Sequence, residues 1–214
     1  MRTSRSWMVS LAFFLVAVAV AMWLYPRLPA RVAVHWDIHG RVDNYMPRLW
    51  SASFPALMIL ALAGLTWILP AISPRRFEIR PFAQVYALLM LATQGLVLVL
   101  GMATLLAAAG YAIPMPALGA LGAGALYMIL GNYMGKLRKN FFVGIRSPWT
   151  LASDAVWERT HRVAGWLFML AGLLVVVLTL AGGPLWLTLA LLVAAGLIPY
   201  GYSLAVYKRL QRDE

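Results

Sequence analysis

The side chains able to do chemistry fall into two groups in this 214-residue chain, which has only three histidines. Residues 31–39 read Arg-Val-Ala-Val-His-Trp-Asp-Ile-His, with Val32, Val34, Trp36 and Ile38 alternating against Arg31, Ala33, His35, Asp37 and His39. A period of two predicts an extended strand with one apolar face, ended by Gly40 and lying against helices or the membrane surface. Imidazole and carboxylate are ordinary zinc ligands. On a strand, however, positions i and i+2 stand about 6.6 Å apart and i and i+4 about 13 Å, so His35, Asp37 and His39 could not all reach one ion without a bend. The expectation is therefore no metal but a polar network of His35, Asp37, Asp43 and nearby arginines, or direct contact with a ligand. The second group is Asp154, Glu158 and His161. Ser153-Asp154 predicts an N-cap and first helical position, after which Glu158 and Arg162, and Trp157 and His161, stand four apart as an ion pair and an aromatic-imidazole pair. Two carboxylates beside an imidazole could move protons, but capping and ion pairing account for the same residues. With no phosphate-cradling glycine loop before a lysine, no H-E-x-x-H and no G-x-S-x-G, the chain does not read as an enzyme and calls for no cofactor. The absence of cysteine excludes disulfide stapling, thiolate metal sites and sulfur redox chemistry.

The elements that must position these groups follow from composition. At 63% hydrophobic and 12% charged residues, the chain belongs in a bilayer. Asp, Glu, Lys, Arg and His are all missing from 6–26, 49–74, 81–135 and 163–207. At about 1.5 Å per residue and a hydrocarbon core about 30 Å thick, the first two stretches supply one span each. The third would make a rod of about 80 Å, and Gly110-Tyr-Ala-Ile-Pro114-Met-Pro116 divides it; Gly182-Gly183-Pro184 divides the fourth. The fold class expected is an all-α membrane protein: one domain, residues 1–214, of six transmembrane helices at about 7–25, 51–70, 83–109, 116–134, 163–181 and 185–206. It adds a short extended segment in a first loop at 26–50 and an amphipathic helix in the fourth loop, 135–162.

Fourteen of the 18 basic residues flank the spans on one side: Arg2 and Arg5, then Arg75, Arg76 and Arg80, then six between Lys136 and Arg162, and Lys208, Arg209 and Arg212. The other four, Arg27, Arg31, Arg41 and Arg48, share the first loop, so the positive-inside rule expects both termini in the cytoplasm and the first loop outside. Arg2, Arg5 and Ala19-Val20-Ala21 have the look of a cleavable leader, but apolar residues continue to Tyr25, and the expectation is a retained span. No span carries an ionisable residue at its middle, which disfavours a proton relay. The interior polar residues are Gln84, Thr93, Gln94, Asn132 and Tyr133, read as interhelical hydrogen bonding or as a notch for a peptide or lipid headgroup. Gly119, Gly122, Gly124, Gly131 and Gly135 predict close helix approach on the fourth span. The basic fourth loop, with Trp157, also reads as an interfacial surface touching anionic lipid.

Two segments resemble the SdpI family of bacterial multi-pass membrane proteins. Leu28-Pro29, Val34-His35-Trp36-Asp37, Gly40 and Asp43 are similar to the family's outward motif, with Asp37 where asparagine is usual. Phe142-Val-Gly144-Ile-Arg146-Ser-Pro148-Trp149-Thr150-Leu, then Asp154, Trp157, Thr160, His161 and Gly165, resemble its pattern of Gly-x-Arg-x-Pro-x-Thr followed by Trp, His and Gly. The resemblance implies a bacterial plasma (inner) membrane immunity protein against a membrane-active peptide toxin, in some cases signalling by drawing a cytoplasmic repressor to the membrane. Partners would be membrane lipids, a peptide toxin and a repressor protein, without direct nucleic-acid contact. His35, Asp37, Gly40, Asp43, Gln94 and Asn132 then become candidates for ligand or toxin contact. Gly144, Arg146, Pro148, Thr150, Asp154, Trp157 and His161 become the cytoplasmic signature. A carrier for a peptide or lipid, passing Gln94 and Asn132, and a general envelope-stress protein are the alternatives.

Overall fold

The computed structural model describes residues 3–212; Arg2, one of the flanking basic residues, lies outside them. The elements are α1 (Thr3–Leu24), β1 (Arg31–Trp36), β2 (Val42–Pro47), α2 (Arg48–Ile72), α3 (Ala83–Ala108), α4 (Met115–Met134), α5 (Pro148–Ala152), α6 (Asp154–Leu180) and α7 (Leu185–Arg212). Six of these helices are long and apolar enough to cross a membrane. Their ends follow the punctuation of the sequence. Pro26 tightens the end of α1 into a 3₁₀ turn, Gly110 takes a positive φ of 99° past α3, and Pro116 sits in the first turn of α4, where a missing N–H costs nothing.

Two features depart from the expectation. The extended segment is half of an antiparallel hairpin, β1 with β2, in a register of Arg31 to Pro47 and Trp36 to Val42 interrupted by bulges. The amphipathic helix expected in the fourth loop is not separate from the fifth span. Its residues are the opening turns of α6, because no proline interrupts Asp154–Leu180 and its glycines, Gly165 and Gly172, lie within the helix without breaking it.

Helices α1, α2 and α3 pack on one another and carry the hairpin, while α6 packs between α4 and α7. We call the end bearing the hairpin and residues 109–114 and 181–184 the hairpin end, and the end bearing residues 73–82 and 135–153 the basic end. The hairpin sits down through its apolar face. Val32 is fully buried with Leu24, Ala52 and Leu105 from the ends of α1, α2 and α3 and with Leu28 of the link that follows α1.

The tightest contact is between α4 and α6. A Cβ on Gly131 would stand 2.7 Å from the Gly165 carbonyl oxygen, and one on Gly124 would stand 2.9 Å from that of Gly172. Two glycine pairs, each seven residues apart on its helix, therefore let the backbones touch, the small-residue packing that substitutes for hydrophobic drive inside lipid. The other glycines expected to do this differ. Gly122 faces Leu96 of α3, and Gly119 and Gly135 have open space where a side chain would go. Overpacking a tight contact costs about 1–3 kcal/mol or more. Gly131→Leu is accordingly expected to lower thermal stability in detergent sharply and Gly119→Leu to leave it nearly unchanged; equal melting temperatures for the two variants would contradict the glycine contact.

Candidate functional site

The second motif folds into a knot at the basic end. Helix α4 stops at Met134, and the chain wraps back over the start of α6. Asn140 is fully buried and makes the wrap possible: its amide N–H groups donate to the carbonyls of Arg138 (2.8 Å) and Val143 (3.0 Å), and its Oδ1 accepts from the N–H groups of Phe142 (2.8 Å) and Val143 (2.7 Å). One side chain thus replaces the partners that a helix would have given this turn.

Trp157 and His161, one turn apart on α6, hold the wrap from below. The Trp157 indole N–H donates to the Leu137 carbonyl at 2.8 Å, and the ring stacks on His161 with centroids 3.9 Å apart. His161 is buried, with Nδ1 2.9 Å from the Trp157 carbonyl and Nε2 3.1 Å from the Ile145 N–H. The tautomer that satisfies both carries its proton on Nδ1, donates to the carbonyl and accepts at Nε2. Gly144 fits here for two reasons: its φ is +108°, and a Cβ would collide with His161 Nε2.

The remaining signature residues close the knot. Arg146 donates from Nη1 to the Phe141 carbonyl at 2.5 Å, and the Phe141 ring packs at a 55° tilt against Phe77 of the 73–82 loop, centroids 4.1 Å apart. Ser147 and Thr150 form a reciprocal capping box around Pro148, which starts α5, and Thr150 also donates to the Ile145 carbonyl at 2.8 Å. Ser147 shares a 2.8 Å hydroxyl hydrogen bond with Ser203 of α7, tying the knot to the last helix. Ser153 caps α6 by accepting from Val156 N–H at 3.4 Å, as its position predicted.

The carboxylates pair differently from the helical spacing. Glu158 meets Arg138 at 3.6 Å rather than Arg162, and Asp154 meets Lys139 at 2.6 Å, because the wrap lays its own cations over this face of α6. Beside them opens a cavity of about 970 Å³ whose rim carries Arg75, Arg76 and Arg162. Among the described residues these three cations have no ion-pair partner. The site can therefore present positive charge over a rigid floor made by the motif.

At the hairpin end, His35 Nδ1 lies 2.6 Å from Asp43 Oδ1 across the two strands, both side chains substantially exposed. Asp37 is committed to the turn: Oδ1 accepts from the N–H groups of His39 and Arg41, both at 2.8 Å, and Oδ2 lies 3.3 Å from Arg41 Nε. Gly40 completes the turn with φ +77° and its N–H on the Asp37 carbonyl at 2.9 Å. These engagements separate His35 from Asp37, and no group of three metal-ligating side chains gathers among the described residues. Gln94 is fully enclosed within the helices, with no hydrogen-bond partner for its amide among the described residues, whereas Asn132 is exposed on α4; the two do not face a common opening. Thr93 bonds back to the Leu89 carbonyl of its own helix at 3.0 Å.

Sequence reasoning missed Asn140, Ser147 and Ser203. Asn140 carried a signal, an asparagine directly after the basic run and before two phenylalanines, suited to a turn. Ser203 carried none, since its partner lies 56 residues away.

The Asp37 carboxyl is held below its ordinary range first by the backbone N–H of Arg41, then by that of His39 and the Arg41 side chain. Its contribution to the turn is complete above the ordinary carboxylate pKa of about 3.9 and is lost as pH falls through the lower folded value. An asparagine oxygen can accept the same two N–H bonds. Hydrogen exchange at the His39 and Arg41 amides is expected to stay slow in Asp37→Asn, become fast in Asp37→Ala, and accelerate in the parent only below about pH 4; fast exchange in Asp37→Asn would disprove the turn role.

Comparison with known proteins places these two ends in two recognised segments. Residues 136–203, which hold the knot, α6 and most of α7, match the model of the SdpI/YfhL protein family. Residues 12–60, which hold most of α1, the hairpin and the start of α2, match a domain of unknown function (DUF1648). The chain is similar to the immunity protein SdpI of Bacillus subtilis (strain 168), 26% identical over 211 residues, covering 94% of this chain and 96% of that protein. No solved structure matches. The knot built on Gly144, Arg146, Thr150, Trp157 and His161 lies inside the segment that matches the SdpI/YfhL family model, within a similarity to an immunity protein that runs nearly end to end.

Proposed function

We propose that this is a bacterial plasma-membrane immunity protein that protects its cell from a membrane-active peptide toxin. The observation that carries the reading is the similarity to an immunity protein over 94% of the chain, through both the hairpin and the knot. The orientation proposed has both termini in the cytoplasm and the hairpin outside, which puts the fourteen-residue majority of the 18 basic side chains on the cytoplasmic face. His35, paired across the strands with Asp43, then stands where a secreted peptide would arrive, and the hairpin is fixed on the helix ends by Val32. The cations around the basic-end cavity would face the cytoplasm, where an acidic surface of a recruited repressor could meet them.

Single cysteines test the orientation cleanly in a chain that has none of its own. Tyr45→Cys is expected to react with an impermeant maleimide on intact cells, and Arg146→Cys only after permeabilisation; the reverse pattern would invert the topology. Function is tested by expressing the chain in a strain sensitive to secreted membrane-active peptides and measuring survival and membrane potential. Protection is expected from the parent chain. It should fall to the vector level in His35→Ala if the hairpin meets the toxin, and in Trp157→Phe if the knot is required, each at matched membrane abundance. Sensitivity equal to the empty vector across a broad peptide panel would overturn the immunity reading.

A further inference from the structure

A second opening lies between α1, α3 and α4, away from the knot and the hairpin. It is a groove of about 1010 Å³. Its lining is ordered along the helices. Arg5, Gln84 and Tyr133 stand toward the basic end, while Ala87, Leu91 and Ile129 lie farther along the spans. From residue 84 to residue 92 of α3 the groove runs about 12 Å at the helical rise. A second cation stands next to the polar end: Lys136 does not line the groove, but its Nζ sits 4.6 Å above the ring of Tyr133, which does. Among the described residues no carboxylate lies within ion-pair distance of Arg5 or Lys136.

We infer that this groove binds an anionic glycerophospholipid, with its phosphate between Arg5 and Lys136 and one acyl chain along Ala87, Leu91 and Ile129. Three observations select this occupant. The polarity is one-ended, which matches a molecule with a charged head at one end and hydrocarbon at the other, one chain of which would lie in the groove. The alanines at 83, 87 and 92 of α3 remove side-chain bulk along the line that the tail would take. Arg5 at the rim and Lys136 beside it, neither ion-paired among the described residues, favour a headgroup of net negative charge over a zwitterion. A membrane-spanning peptide, by contrast, would lay apolar side chains across the rim and leave both cations unmet.

Native mass spectrometry of the full-length protein, released from micelles holding equal phosphatidylglycerol and phosphatidylethanolamine of the same acyl length, tests the assignment. The parent protein is expected to retain phosphatidylglycerol preferentially. The preference should drop about fivefold for each cation removed in Arg5→Gln and Lys136→Gln, the size of one basic side chain's attraction to an anionic surface. Ala87→Trp, which fills the tail path, should reduce binding of both lipids, with a thermal melt confirming that the variant is folded. An unchanged preference in the double glutamine variant would overturn the headgroup assignment, and undiminished retention in folded Ala87→Trp would overturn the tail path. A co-purified peptide released by Ala87→Trp, in place of lipid, would assign the groove to a peptide and overturn the inference as well.

Discussion

The backbone contact between α4 and α6 is the constraint on which the basic end depends. At Gly124 with Gly172 and Gly131 with Gly165 neither helix can retreat without losing the contact, and neither can advance. In lipid there is little hydrophobic gain from bringing two apolar helices together, so dispersion between closely fitted surfaces must supply the association. This fit fixes where α4 ends relative to where α6 begins. Met134 and Leu137 are buried in the same core as Trp157 and Phe168, and the chain leaving α4 has no choice but to cross the first turns of α6. The indole bond from Trp157 to Leu137 is thus a consequence of the glycine pairs lower in the span.

That crossing creates a problem of hydrogen bonding. Residues 135–147 leave a helix and have no strand partner, yet several are buried, and each unmet buried backbone group costs about 1–3 kcal/mol. Asn140, His161 and Thr150 meet the need from three directions, each by accepting a backbone N–H, donating to a backbone carbonyl, or both. This gives the motif a physical meaning. Glycine at 144 leaves room for the imidazole, proline at 148 starts a single helical turn, threonine at 150 caps it, and tryptophan and histidine one turn apart brace the wrap. The signature is largely the description of one stable turn, and the chemistry it offers is the positive rim held above it.

The spans, their order and their breaks were legible because each rests on local signals: apolar runs of membrane length, and Gly-Pro punctuation at 110–116 and 182–184. The first strand was legible from its alternation of Val32, Val34 and Trp36, but its partner was not, because Val42–Pro47 reads Val-Asp-Asn-Tyr-Met-Pro with little alternation to reveal a face. Helical spacing predicted the Trp157–His161 stack and mispaired Glu158, and the difference is instructive. A buried stack is fixed by its own helix, whereas an exposed carboxylate takes whichever cation the tertiary wrap brings nearest, a choice worth about 1 kcal/mol or less. The same limit applies to glycines, whose spacing shows that an approach is possible without saying which neighbour makes it.

The two recognised segments correspond to two structural tasks, and the regions between them are informative. The segment at 12–60 builds the α1–hairpin–α2 unit, and that at 136–203 builds the knot with α6 and α7. Helices α3 and α4 lie outside both and carry the seam. On one side α4 is locked to α6 by backbone contact; on the other it meets α3 through side chains, as where Gly122 faces Leu96. A joint of this kind leaves space where side chains are small, and the groove between α1, α3 and α4 is where that space appears. A lipid seated there would touch both units at once, through Arg5 on one and Lys136 on the other. Its binding energy would then depend on how the hairpin unit and the knot unit sit against each other, and by reciprocity the lipid would bias that arrangement.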